Sequence, residues 1–209
     1  MISMDHKVSG TLCPAKWSYN SVCLEYGVTR SCHLLPFHSL DKESESFHTT
    51  KEKIKQRNEM LANKRPSGCK SCWDEEDKNL KSLRHDFLKT YDNLSPQNLE
   101  VANDELLKYL EVSFSSTCQM SCLYCNPQTS SSIYSEYEKH GRYFYEDHEK
   151  RLPKDQKVDL KKRFWAWFDK VYYGLEDLRI TGGEPFLSTD IDELIRYIDK
   201  HPHPELRIS

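Results

Sequence analysis

Leu178-Arg179-Ile180-Thr181-Gly182-Gly183-Glu184-Pro185 is the stretch that decides the fold. A short apolar strand runs directly into two glycines and a carboxylate. Helical periodicity then resumes, with Ile191, Leu194, Ile195 and Ile198 on one stripe and Ser188 or Thr189 able to cap the helix. His201-Pro202-His203-Pro204 ends that helix, and Leu206-Arg207-Ile208 starts another strand. Upstream, Leu110, Val112 and Phe114 alternate with polar residues, as a half-buried strand does. Between the two, Lys157–Tyr173 reads as a helix with Leu160, Phe164, Phe168 and Val171 on one face and Trp167 beside it, core rather than ligand stack. A further helix is expected around residues 131–150, with Gly141 able to interrupt it. Strands alternating with helices predict βαβ units and a parallel sheet over 110–209.

The N-terminal half has a different texture. Trp17–Leu24 and Val28–His33 flank Glu25-Tyr26-Gly27 and predict a β-hairpin. Lys51–Asn63 predicts an exposed helix whose mixed charges form a solvated face. Residues 74–108 read as a polar, partly helical connection. Three units are therefore expected: a cysteine-rich module over 1–90, a linker over 91–109, and a βα domain over 110–209. An eight-unit barrel takes about 250 residues, so 110–209 holds two βα units and the start of a third. The sequence is thus expected to be part of a longer or split protein.

With 30 Lys and Arg against 33 Asp and Glu, the net charge is −3, which argues against a nucleic-acid backbone as main partner. Hydrophobic residues make up only 37 %, a thin core for 209 residues, so something else is expected to help hold the chain together. The N-terminus lacks the apolar run of a signal peptide, and no stretch has the length of a membrane span. A cytoplasmic location follows, with no membrane partner, and eight cysteines there read as metal or redox ligands rather than disulfides.

Cys118-Gln119-Met120-Ser121-Cys122-Leu123-Tyr124-Cys125 places three thiols in eight residues directly after a strand. Such a loop can wrap one face of an iron–sulfur cube and leave one iron open. A zinc site that borrows a fourth ligand is the bland alternative. Gly182-Gly183-Glu184 alone is weak, but it falls one βα unit later, at the same sheet edge, where ligands bind in α/β folds. Cys13, Cys32, Cys69 and Cys72 could close a tetrahedral zinc site or hold a second cluster. Cys23 fits no ligand spacing and reads as a buried free thiol. The histidines show no ligand pairing; His33, next to Cys32, reads as a packed or exposed residue. Tyr134, Tyr137, Tyr143 and Tyr145 read as part of a solvated insert.

Taken together, Cys118-x3-Cys122-x2-Cys125, with Tyr124 before the last cysteine, and Gly182-Gly183-Glu184-Pro185 resemble the radical S-adenosylmethionine (SAM) superfamily. The resemblance implies an incomplete (β/α)6 barrel. It makes Cys118, Cys122 and Cys125 ligands of a 4Fe–4S cluster whose open iron chelates SAM. Gly182, Gly183 and Glu184 become contacts of the methionine amino group, and Tyr124 a neighbour of the adenine. The implied reaction is reductive cleavage of SAM to a 5′-deoxyadenosyl radical that abstracts hydrogen from a substrate.

Cys13-Pro14-Ala15-Lys16-Trp17, Cys69-Lys70-Ser71-Cys72-Trp73, Ser82-Leu83-Arg84 and Cys125-Asn126-Pro127 further resemble twitch-domain-containing radical SAM proteins, related to SPASM modules. That implies an auxiliary 4Fe–4S cluster on Cys13, Cys32, Cys69 and Cys72. The class implies a reductase such as flavodoxin or ferredoxin as electron donor, and suggests a peptide or peptide-like substrate. A small metabolite or nucleobase is the alternative within the same chemistry. A non-catalytic, zinc-stapled binding module is the alternative outside it.

Overall fold

A computed structural model describes residues 10–42, 44–91, 99–141 and 151–209. Its centre is a six-stranded sheet in the order β3-β2-β1-β4-β5-β6. The strands are β1 (Tyr19–Cys23), β2 (Val28–Arg30), β3 (His38–Ser39), β4 (Tyr109–Ser113), β5 (Asp177–Thr181) and β6 (Arg207–Ile208). β1, β4, β5 and β6 are parallel, while β2 pairs antiparallel with β1 and β3 antiparallel with β2. The parallel run through β4, β5 and β6 was expected. The pairing of β1 with β4 was not, and it carries one sheet across both halves of the chain.

The α-helices among the described residues are α1 (Ala15–Ser18), which leads into β1, α2 (Lys51–Leu61), α3 (Lys70–Glu76), α4 (Leu83–Thr90), α5 (Ser131–His140), α6 (Lys154–Val171) and α7 (Thr189–Lys200). Among the described residues, no helix is long and apolar enough to cross a membrane.

The alternation of β4 works as read. Leu110 and Val112 are buried and meet Leu178 of β5 under Phe164, Trp167 and Phe168 of α6 and Ile191 and Leu194 of α7. Phe164 and Phe168 stack at 5.6 Å, and Phe114 meets Phe164 edge-on at 5.4 Å. Ser188 caps α7 by accepting from the Asp190 N–H, and Asp190 is clamped by Lys161 Nζ at 2.6 and 2.7 Å. Of the expected α7 stripe, Ile195 is exposed and Ile198 only partly buried. A smaller core, built from Leu12, Cys13, Ala15, Trp17, Tyr19, Met60, Trp73 and Leu99, sits at the N-terminal end of β1.

Three local readings need correction. The hairpin forms, but Trp17 belongs to α1 rather than to the first strand, because Ser18 and Trp17 donate their N–H groups back to the Pro14 carbonyl in a helical turn. Helix α2 is solvated on one side only: Lys51, Lys55 and Asn58 are exposed, but Lys53, Gln56, Arg57 and Met60 are buried. Its charged side chains are satisfied by neutral acceptors, which a charge-pattern reading cannot foresee. Lys53 Nζ reaches Asn20 Oδ1, Thr29 Oγ1 (2.7 Å) and the Phe47 carbonyl (3.2 Å), and Arg57 donates to the Lys16, Val101 and His48 carbonyls. Tyr137 of the expected solvated insert is buried, and Tyr134 lies under the Arg151 guanidinium at 4.1 Å. Tyr143 and Tyr145 lie outside the described residues. α5 stops at Gly141, whose φ of +88° ends the helix.

Candidate metal centres

The loop after β4 carries Cys118, Cys122 and Cys125, all free and half-buried. Its stem is fixed by side-chain bonds to the start of α5. The Cys118 N–H donates to Ser131 Oγ at 3.0 Å, Ser131 and Ser132 hydroxyls donate to the Cys118 carbonyl, and the Ser131 N–H donates to the Ser116 carbonyl. Ser130 caps α5 and also donates to the Met120 carbonyl at 3.0 Å. Within the loop, the Cys125 N–H closes a turn onto the Cys122 carbonyl at 3.0 Å. These serines explain why a short loop can present three sulfurs without a strand or helix beneath them.

The loop after β5 lies against that stem. The Gly183 N–H donates to the Ser115 carbonyl at 3.1 Å and the Glu184 N–H to the Thr117 carbonyl at 2.8 Å. Gly182 has φ +122°, and a Cβ there would sit 2.4 Å from the Ser115 oxygen; one on Gly183 would sit 2.1 Å from the Thr117 oxygen. Both glycines are therefore demanded by the cysteine-loop backbone itself. The Glu184 carboxylate accepts from the Phe186 N–H at 3.3 Å. With those two N–H groups engaged, what this loop offers a cationic ligand is carbonyl oxygen and carboxylate, which are the acceptors an ammonium group requires.

Tyr124 projects from the tip of the cysteine loop and is exposed, as are Leu123 and Phe186. A hydrogen bond to Cys122, then the charges of Cys122, Cys125 and Cys118, push its hydroxyl pKa up.

The second group of sulfurs lies elsewhere. Cys13, Cys32, Cys69 and Cys72 line one small cavity, together with Lys16, Leu35, Met60 and Trp73. Among the described residues, no three His, Cys, Asp or Glu side chains are grouped as they would be around a single metal ion, and this holds for Cys118, Cys122 and Cys125 as well as for this quartet. Burial pushes the Cys13 thiol up to about 12, against the opposing pull of Lys16. Burial likewise raises Cys32 and Cys69, and Lys16 opposes it at both.

Ser82 and Arg84 brace this cavity. Arg84 grips Glu76 of α3 through Nε–Oε1 (2.8 Å) and Nη2–Oε2 (2.6 Å), and its Nη1 donates to the carbonyl of Leu12, the neighbour of Cys13. Ser82 donates to the same Glu76 carboxylate at 2.6 Å. Burial tends to raise the Glu76 pKa, but the Arg84 and Ser82 hydrogen bonds and the Arg84 charge outweigh it and hold the carboxyl below its ordinary range. Trp73 lies between Arg84 and Arg65, and its indole N–H donates to the Pro66 carbonyl.

Cys23 ends β1, where burial raises its thiol to about 11. It stands in register with Ser113 and Thr181, at the sheet edge from which the other two loops spring. Sequence reasoning missed Lys16, whose burial beside four cysteines has no signature in spacing or charge pattern.

Parallel βα strands thus bring a Cys-x3-Cys-x2-Cys loop and a Gly-Gly-Glu loop together at one sheet edge, the two motifs on which the resemblance to radical SAM proteins rests. The curated relatives agree. The chain is 32 % identical over 97 residues to a GTP 3',8-cyclase of Listeria welshimeri, covering 46 % of this chain and 24 % of the relative. It is 34 % identical over 95 residues to that of Lactiplantibacillus plantarum (46 % and 23 %), and 29 % over 98 residues to that of Campylobacter jejuni subsp. doylei (47 % and 25 %). Proteins of that name are radical SAM enzymes, and the similarity supports the radical SAM superfamily for this chain. The matched stretch spans about a quarter of the length of these relatives. No family model matches the chain, and no solved structure does.

Proposed function

We propose that the chain carries the SAM-cleaving centre of a radical SAM enzyme. Cys118, Cys122 and Cys125 hold a 4Fe–4S cluster, and Gly182, Gly183 and Glu184 receive the amino group of SAM. The observation that carries this reading is the pairing of Gly183 and Glu184 with Ser115 and Thr117, which fastens the two motif loops to each other. The donor chemistry fits the group, with three soft thiols on one half-open loop beside carbonyls and a carboxylate, although the sulfurs are not drawn together as around a single ion. When bound, the cluster and SAM supply one-electron cleavage of a carbon–sulfur bond and hence hydrogen abstraction. This chain's residues bind and orient. The serines at 130–132 fix the cysteine loop, and the diglycine admits the close approach that sets Glu184 beside it.

Cys13, Cys32, Cys69 and Cys72 are proposed to hold an auxiliary 4Fe–4S cluster of the twitch type, within a module over 1–90 joined by a linker over 91–109 to the domain over 110–209. Their shared cavity and its bracing by Arg84 support this. The electron donor is proposed to be a flavodoxin- or ferredoxin-like reductase, and the setting a reducing cytoplasm. For the substrate, the relatives' name supports a nucleotide or other small molecule over a peptide.

Anaerobic reconstitution with iron and sulfide tests the proposal. The expected result is a brown protein that releases 5′-deoxyadenosine from SAM under a strong reductant. Colourless protein with stoichiometric zinc and no SAM cleavage identifies a zinc-stapled binding module instead.

A further inference from the structure

The far side of the four-cysteine cavity is unusual in its charge. Lys16, Lys53 and Arg57 are all fully buried, close enough for Lys16 and Arg57 each to depress the pKa of Lys53. Buried cations are normally paired with carboxylates, because leaving water unpaired is costly. Here the acceptors are neutral. Lys16 Nζ donates to Gln56 Oε1, and only Gln56, through its Nε2 at 2.8 Å, reaches a carboxylate, that of Glu52. Among the described residues, no carboxylate forms an ion pair with Lys16, Lys53 or Arg57. Asp104 is the one carboxylate whose charge acts on both Lys53 and Arg57, and it is already bonded to Trp167, Ser46 and Thr49. Lys16 alone of the three lines the cavity with the four cysteines, and its charge acts on Cys13, Cys32 and Cys69.

We propose that Lys16 is a positioning residue that supplies the counter-charge for an anionic metal group held by Cys13, Cys32, Cys69 and Cys72. This rests on the reading of that quartet as a metal centre. A metal or cluster bound by four thiolates carries net negative charge, and a buried ammonium against it converts an unpaired cation into a paired one. The same charge favours the reduced, more negative state of a redox-active group, so Lys16 also raises its potential.

The test uses the full chain with Cys118, Cys122 and Cys125 replaced by alanine, so that only the quartet can hold metal. Lys16→Met and Lys16→Arg are compared with this background after anaerobic reconstitution. The readouts are iron, zinc and sulfide per chain, the rate of metal release to a chelator, the potential of any paramagnetic signal, and the rise in Tm on loading.

In Lys16→Met, release is expected to be at least about tenfold faster, since a close positive charge that attracts the anionic group is lost. The potential falls and the rise in Tm shrinks. The apo-protein's own Tm separates this from a folding defect, because it is not expected to fall in parallel. Lys16→Arg retains most of the background behaviour. Background-like release, potential and loading stabilisation in Lys16→Met overturn the proposal while leaving the centre in place. A background chain that binds neither iron nor zinc overturns the centre, and the proposal with it. If the quartet holds zinc, release rate and loading stabilisation decide the matter without a potential.

Discussion

Replacing Gly183 with alanine adds one methyl group at the point where the two motif loops meet. The new Cβ would lie 2.1 Å from the Thr117 oxygen and 2.7 Å from the Ser116 and Thr117 carbonyl carbons, all of them backbone. No side-chain rotation relieves such a contact, so one loop must move by more than about 1 Å before ordinary packing distances return. Overpacking of this kind costs about 1–3 kcal/mol. The displacement also stretches the Gly183–Ser115 and Glu184–Thr117 hydrogen bonds, each worth about 1 kcal/mol net. For a chain of this length each kcal/mol shifts Tm by about 2–4 °C, so a fall on the order of 5–15 °C is expected. A misplacement of about 1 Å between catalytic elements can lower turnover about 100-fold. Thermal melting and the rate of 5′-deoxyadenosine release after reconstitution read the two effects separately. Gly10→Ala is the control, since its added Cβ meets only Asn63 Oδ1 at 3.9 Å. A Gly183→Ala protein that melts with the unmutated chain and cleaves SAM at its rate would falsify the close approach of the loops.

Cys122→Ala is expected to abolish SAM cleavage while metal at the N-terminal quartet is retained; unmutated 5′-deoxyadenosine release from this variant refutes the cluster assignment. Arg84→Ala strands the largely buried Glu76 carboxylate and should cost about 3–5 kcal/mol in urea unfolding, so a change below about 1 kcal/mol shows the clamp to be dispensable. Stability should also fall on acidification. Burial, with Lys53 adding to it, holds His38 down to about 4, and burial with Arg57 holds His48 well below its ordinary value. The unfolded chain, with histidines titrating near about 6.5, therefore binds more protons below that pH, and folding weakens from there toward pH 4. His38→Gln should flatten part of this slope, and a Tm–pH curve identical to that of the unmutated chain removes His38 as its source.

The parallel βα run was legible because its signals are local and periodic: Leu110 and Val112 alternate, Leu160, Phe164 and Phe168 share a helix face, and Ser188 announces a cap. The cysteine and diglycine loops were legible because three thiols and two glycines at fixed offsets have few uses. What stayed hidden was non-local. That β1 pairs with β4 depends on bringing together residues about ninety positions apart, and nothing in Tyr19–Cys23 states which strand it will join. The burial of Lys53 and Arg57 depends on Asn20, Thr29, Phe47 and Val101 arriving from other elements to satisfy them. A charged helix whose acceptors come from elsewhere looks, in sequence, like one facing water. The closest neighbours of the two glycines proved to be protein backbone, a contact with no signature in the sequence.

The unexpected strand pairing bears on what the two cysteine groups can do for each other. Cys13 precedes β1 and Cys32 follows the antiparallel β2, so both lie at the edge where the parallel strands begin. Cys118 follows β4 and Gly182 follows β5, at the edge where those strands end. Five residues of strand separate the two edges, about 17 Å at the usual rise. A molecule held between the cysteine loop and the diglycine would therefore lie about a strand's length from any metal group in the N-terminal cavity. Any influence of that group on the radical site must pass as electrons, or as rigidity through β1 and β4. The second route would run through a tie: the four sulfurs come from the approach to β1, the exit of β2 and the start of α3, so a metal group held there would join the β2 exit to the apolar core that the other two segments already share. A chain with so modest a hydrophobic content gains most from such a tie at the end of the sheet that lies away from α6 and its aromatic core.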